Sequence, residues 1–264
     1  MKKFLLASTI LMFAYSAQAC PVTDKMGEPV ANSNQNLYSL CRIDYHNMYN
    51  GTTKTPLWVA EDLIPSNVSG AEDPGIKDSS GKRKNPFKED KELPENVRST
   101  LDDYENNAAS RKPFRGDNIQ LARGHMSAAE NHNRLAAYIQ SFLLSQMVPQ
   151  HQNCNNAGIW STFERMSREW TVHYGEIFVV SGPIYENGYS DTIGNGVAVP
   201  SHLFKVVFNP TLNQSIGFIV ENGPLCKVKP AQVVASQATI EQVTGLQFFP
   251  KMSGYDKNNT KIWE

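Results

Sequence analysis

The sequence predicts an α+β fold, a mixed or antiparallel sheet core with helices packed around it. Three observations lead there. Residues 174–182, 196–199, 202–209 and 216–220 are short β-branched and aromatic runs that read as central strands. Trp160, Phe163, Met166 and Trp170 instead recur at the spacing of one helix face, which predicts a helix over about 156–171. No repeat or long linker divides the chain, so strands and helices share one core.

The beginning reads as a leader. Met1-Lys2-Lys3 precedes an apolar run to Tyr15 and then Ala17-Gln18-Ala19, a small-residue cleavage pattern. The run is too short for a membrane span. Residues 1–19 are therefore expected to be a signal peptide cleaved after Ala19, with 20–264 forming one domain. Cys20 raises a lipoprotein alternative, but Ala17 stands where a lipobox wants Leu, so ordinary cleavage is favoured. The expected location is secreted or periplasmic in a bacterium. Cys20, Cys41, Cys154 and Cys226 suggest two disulfides, with three pairings open. A thiolate metal site is disfavoured because no C-x-x-C spacing exists.

Residues 41–49 and 56–60 read as strands joined at Asn50-Gly51, a hairpin signal. His46 within the first reads as structural. Residues 67–91 form a long polar loop, and 93–107 a short helix with Pro94 at an allowed early position. Residues 127–141 read as helical and 142–148 as strand-like, leading into Pro149-Gln150. Residues 239–245 read as a short helix, with Ser236 as N-cap and Gly245 closing it. The tail from 251 onward is polar and expected to be marginally ordered.

The chemistry concentrates between Leu121 and Trp170. In an extended Arg123-Gly124-His125, the first and third side chains share a face. A neutral His is suited to take a proton near pH 7, and guanidinium groups can receive charge developing on a phosphodiester. At roughly 100° per residue, Asn156, Glu164 and Arg168 fall on one arc beside the apolar face. Glu164 and Arg168 have i, i+4 spacing, so a surface ion pair is the plainer reading. The sharper one is the edge of a metal site, with Asn156 offering a carbonyl oxygen to a hard cation. His132 and His151 read as structural or loop residues.

The formal net charge of −1 argues against bulk electrostatic affinity for nucleic acid. Two local clusters, Lys82-Arg83-Lys84 with Lys88 and Arg111-Lys112 with Arg115, precede the His motif and could flank its cleft. Arg83 is a further candidate substrate contact.

Arg123-Gly124-His125, Val148-Pro149-Gln150, Asn156-x-Gly158-x-Trp160 and Glu164-x-x-x-Arg168, in this order, resemble the DNA/RNA non-specific endonucleases. These are ββα-metal (His-Me finger) nucleases, and the run 126–132 is similar to their endonuclease G branch. Blocks at 56–59, 179–185, 199–206 and 240–250 extend the resemblance over about 57–250. It implies His125 as the general base, Asn156 as the direct ligand of Mg²⁺ (or Mn²⁺), and Glu164 as orienting metal-bound water. Arg123 and Arg168 would hold the scissile phosphate. The implied activity is sugar-non-specific hydrolysis of DNA and RNA leaving 5′-phosphate ends. Two residues depart from the family pattern: Ala122 stands where an Asp is usual, and Gln146 where an Asn is usual. They motivate an alternative, a catalytically weakened homologue that binds nucleic acid or a protein. A phosphodiesterase acting on small nucleotides is the third reading. A homodimer fits the class of soluble enzymes, though no segment marks its surface.

Overall fold

The computed structural model describes residues 20–32, 36–68, 86–105, 121–186, 188–189 and 191–264. The expected signal peptide, Arg83, and the cluster of Arg111, Lys112 and Arg115 lie outside the described residues.

A seven-stranded sheet forms the centre. Its strands are β1 (Leu37–Cys41), β2 (His46–Asn50), β3 (Thr55–Leu63), β6 (Ile177–Ile184), β7 (His202–Asn209), β8 (Gln214–Glu221) and β9 (Val234–Ala235). A separate ribbon pairs β4 (Leu121–His125) with β5 (Met147–His151). The sheet order is β9-β8-β7-β6-β3-β2-β1, and every adjacent pair is antiparallel. The expected Asn50-Gly51 hairpin joins β2 to β3. The expected strand over 41–49 is instead cut by a turn, in which Arg42 N–H bonds back to the Tyr45 carbonyl at 2.9 Å.

Alternation along the strands decides which residues meet the site. Trp58, Ala60, Phe178, Val180, Phe204, Val206 and Phe208 face one core, shared with Ile240, Phe248 and Phe249. Val59, Leu63, Val179, Leu203 and Val207 face the other, which holds Val148, Trp160, Phe163 and Trp170. Both faces of β6 are covered, and all eight of its residues are buried. Glu61, Ser181 and Lys205 alternate with the second set, so three polar side chains lie in an otherwise apolar face.

Helix α1 covers Leu135–Gln140, α2 covers Ser161–Tyr174, and α3 covers Gln237–Thr244. Ser236 caps α3 by accepting from Thr239 N–H at 3.1 Å, and Gly245 ends it at φ 69°. Residues 127–141 are not one helix. A 3₁₀ turn at Ala129–Asn131 precedes α1, because the side chains of Asn131, His132 and Asn133 bond to Glu61, Ser127 and the Ser66 carbonyl. The predicted 142–148 strand begins only at Met147, after a 3₁₀ turn at Leu144–Gln146. Residues 101–105 supply the helix expected within 93–107.

The disulfides are Cys20–Cys41 and Cys154–Cys226. The first fastens the segment before β1. There His46 is buried between Thr23 Oγ1 (3.0 Å) and Ser39 Oγ (2.8 Å), and burial lowers its pKa to about 4. The tail is packed, contrary to expectation. Trp263 meets Trp170 edge-on at 4.9 Å, Tyr174 Oη–H donates to the Glu264 carbonyl at 3.0 Å, and Ser215 N–H donates to the Asp256 carbonyl at 3.0 Å.

Candidate active site

The site is built from the β4–β5 ribbon, a wide turn and α2. In β4, Arg123 and His125 emerge on the same side, and both reach Phe87. The Arg123 guanidinium lies 4.2 Å from the Phe87 ring centre. The His125 ring is 5.5 Å from Phe87 and meets Phe142 edge-on at 4.9 Å. These contacts narrow the imidazole's rotation. The His125 carbonyl accepts from Trp160 Nε1 at 2.9 Å, which fixes the end of β4 against the head of α2.

Gly124 is required for space. A Cβ there would stand 1.9 Å from Gln150 Oε1 and 2.6 Å from Gln150 Cβ. Gln150 is fully buried and donates to Asn155 Oδ1 at 2.6 Å. Asn155 in turn donates to the Glu221 carbonyl at 2.6 Å. Gln146, one of the two departures, holds the chain just after His125. Its Oε1 accepts from Met126 N–H (2.9 Å) and Ser127 N–H (2.8 Å), and its Nε2 donates to the Ser127 and Ser141 carbonyls.

The predicted helix over 156–171 begins later than expected. Residues Gln152–Trp160 form a wide turn broken at Gly158 (φ −110°, ψ −110°), and the regular helix starts at Ser161. Asn156 therefore does not share a helical arc with Glu164 and Arg168; it stands on the turn that leads into their helix. The bonds of Asn155 and the Cys154–Cys226 bridge draw the backbone out of α geometry, and Gly158 absorbs the break. The Asn156 amide nitrogen donates to Gln152 Oε1 at 3.1 Å, which presents its carbonyl oxygen as the acceptor.

On α2, Arg168 turns away from the anticipated i, i+4 pairing with Glu164. Its Nη2 lies 3.1 Å from Glu130 Oε2, and its Nη1 donates to Asn131 Oδ1 at 3.2 Å. The surface ion pair on this helix is Arg165–Glu169 at 2.7 Å. Glu164 is partly exposed. Removal from water pushes its carboxyl up to about 8; Lys205 and Arg168 oppose this, while Glu130 and Glu61 add to it. The Lys205 ammonium is shifted down, first by burial. It donates to Ser181 Oγ at 2.7 Å and sits 4.7 Å from the Trp160 ring centre.

Sequence reasoning missed Phe87, Phe142, Glu61, Ser127, Asn131 and Lys205. Lys205 did leave a signal, a charge in the middle of the apolar run 203–208; Glu61 left a weaker one, since Asp62 beside it makes the end of its strand look solvent-facing. Among the described residues, no group of three or more His, Cys, Asp or Glu side chains is assembled for a metal. Asn156 on the turn and Glu164 on α2 carry oxygen atoms of the kind a hard cation prefers. That donor set suits Mg²⁺ or Mn²⁺ completed by water and phosphate oxygens. Among the described residues, no helix is long and apolar enough to cross a membrane.

A family model described as DNA/RNA non-specific endonuclease matches residues 23–254. The chain is 31% identical over 221 residues to a Danio rerio protein named Nuclease EXOG, mitochondrial, covering 77% of this chain and 58% of that protein. It is 30% identical over 226 residues to the Homo sapiens Endonuclease G, mitochondrial, covering 80% and 69%. Thus it spans less than two thirds of the Danio rerio relative's length. A solved structure of an EndoG/EndoGI complex, described as revealing the mechanism of EndoG inhibition, superposes with a TM-score of 0.67 at 27% identity. That match covers 87% of this chain and 90% of the other. The expectation of a secreted or periplasmic bacterial protein is corrected here, because the matching animal and yeast relatives carry mitochondrial names.

Proposed function

The chain belongs to the DNA/RNA non-specific endonuclease family, in its endonuclease G and EXOG branch, and we propose that it hydrolyses phosphodiester bonds in both DNA and RNA with a divalent metal. Residues 20–264 act as one domain in this reading. The supporting observation is the joint between ribbon and helix. Arg123 and His125 leave one face of β4, and the His125 carbonyl grips Trp160 at the head of the helix that carries Glu164 and Arg168.

In this reading His125 takes the proton of the attacking water, with its ring steadied by Phe87 and Phe142. Arg123 and Arg168 hold the scissile phosphate and receive the charge that develops on its oxygens. Asn156 Oδ1 would hold Mg²⁺, with Mn²⁺ as the substitute, and Glu164 would orient water beside it. The bound ion supplies further charge neutralisation at the phosphate. Contacts confined to phosphate would leave the sugar unread, so both polymers serve as substrates. Arg83 is kept as a further candidate substrate contact.

The test uses the full chain with both disulfides intact. Plasmid DNA and RNA are incubated with Mg²⁺, with Mn²⁺ and with a chelator, beside His125→Ala and a dinucleotide substrate. Cutting of both polymers only with metal, lost in a folded His125→Ala, supports the proposal. Binding without cutting under either metal would install the weakened-homologue reading, for which Ala122 and Gln146 are the motive. Preference for the dinucleotide would install the small-nucleotide reading.

A further inference from the structure

We infer that Asn131 and the buried carboxylate of Glu61 are positioning residues, aiming the Arg168 guanidinium from the chain that leaves His125. This rests on the proposed placement of Arg168 at the phosphate.

Glu61 is fully buried in β3, on the sheet face beneath α2. A buried carboxylate survives only if its charge is engaged. One oxygen, Oε1, accepts twice, from Ser127 Oγ at 2.8 Å and from Asn131 Nδ2 at 2.9 Å; Oε2 has no hydrogen-bond partner among the described residues, and the charge of the carboxylate is felt by the buried Lys205 ammonium. Ser127 lies two residues after His125, and Gln146 pins its backbone N–H. His132 Nε2 lies 2.8 Å from Ser127 Oγ on the other side. With its amide nitrogen committed to Glu61, Asn131 can present only its carbonyl oxygen to Arg168, and it does so at 3.2 Å. Arg168 is thereby held at two points, Asn131 on Nη1 and the more exposed Glu130 on Nη2.

The two holds differ in rigidity. The Glu130 side chain is 60% exposed, so its ion pair is screened by solvent and fixes charge more than direction. Asn131 is 3% exposed and anchored to a carboxylate at 0%, so it fixes direction. A guanidinium must be directed to meet phosphate oxygens through its planar fork. The same Glu61 oxygen also holds Ser127, so the exits of β4 and of the Arg168 site share one anchor.

The test is a double-mutant cycle on nuclease turnover with thermal unfolding recorded for every variant. Asn131→Ala is expected to lower kcat about tenfold to a hundredfold, the scale of a misplaced group, with KM little changed. In an Arg168→Ala background, Asn131→Ala should lower kcat no further, because a positioning residue has nothing left to position. Asn131→Asp keeps the size of the side chain but sets a carboxylate against Glu61, and is expected to lose kcat as well. Additive losses, or losses that track the melting temperature, overturn the inference. So does a fully active Asn131→Ala beside an impaired Arg168→Ala, which leaves the site reading standing. A fully active Arg168→Ala removes both.

Discussion

Gly124→Ala tests whether the site depends on the close crossing of the two ribbon strands. The added methyl would sit 1.9 Å from Gln150 Oε1, 2.8 Å from Cδ and 2.6 Å from Cβ. The far end of a glutamine can swing away when it has room. This one is fully buried, and its Cβ moves only with the backbone of β5. Overpacking of this kind costs about 1–3 kcal/mol. Displacing Gln150 also breaks its 2.6 Å bond to Asn155, about 1 kcal/mol more. A total of about 2–4 kcal/mol corresponds to a melting temperature lower by roughly 5–15 °C for a domain of this size. Asn155 adjoins Asn156, so metal-dependent cleavage should fall further than stability alone explains. Circular dichroism melts and plasmid cleavage are the assays. Gly124→Ala with Gln150→Ala removes two of the three overlaps and should recover part of the melting temperature. Wild-type stability and activity in Gly124→Ala would refute the reasoning.

The remaining predictions use other parts of the same scaffold. Glu164 has a folded-state pKa of about 8, above its ordinary 4.5. The folded state therefore holds that proton more tightly, and the contribution is present below about 4.5 and lost as pH rises toward about 8. Urea unfolding of metal-free protein should show stability declining across that window, and Glu164→Gln should flatten the decline. Removing Cys154–Cys226 as a Ser pair opens a loop spanned by a separation of 72 residues, worth about 4 kcal/mol in the chain-entropy model. Removing Cys20–Cys41, with a separation of 21, is worth about 3 kcal/mol. Cleavage should suffer out of proportion in the first, which frees the turn bearing Asn156; equal losses in both pairs would contradict this. Trp263→Ala removes a side chain only 9% exposed against Trp170 and should cost about 3–5 kcal/mol, leaving kcat unchanged in protein that remains folded.

Much of the frame is legible in the sequence. The run 202–209 coincides with β7, and Ser236 and Gly245 bound α3 as their chemistry dictates. Arg123 and His125 share a face because alternation is a local property of an extended strand. The failures have a common cause. Extending the apolar period of Trp160, Phe163 and Trp170 backward sets Asn156 on a helical arc. A bridge to Cys226 and an amide bond to Glu221, both distant in sequence, bend that segment instead. The Glu164–Arg168 pairing fails likewise, since Glu130 and Asn131 arrive from another part of the chain.

The same contrast explains why amides crowd the site. An irregular backbone leaves N–H and C=O groups without ladder partners, and buried ones must still be paired. A side-chain amide can donate and accept at once, so one residue can satisfy both kinds of group. Gln146 serves Met126, Ser127 and Ser141. Asn222 accepts from His151 N–H and donates to the Pro149 and Pro200 carbonyls. Such residues carry no charge that would compete for the metal or repel phosphate. Gln146 in place of the family's usual Asn thus has a definite role, because its longer arm spans from the turn after His125 to Ser141. Ala122 has no such account, since nothing in its pairing with Gln150 replaces a carboxylate. Of the two departures, Ala122 is the one to revert: Ala122→Asp should raise turnover if the missing carboxylate matters, and leave it unchanged if β4 is already held by Phe87 and Trp160.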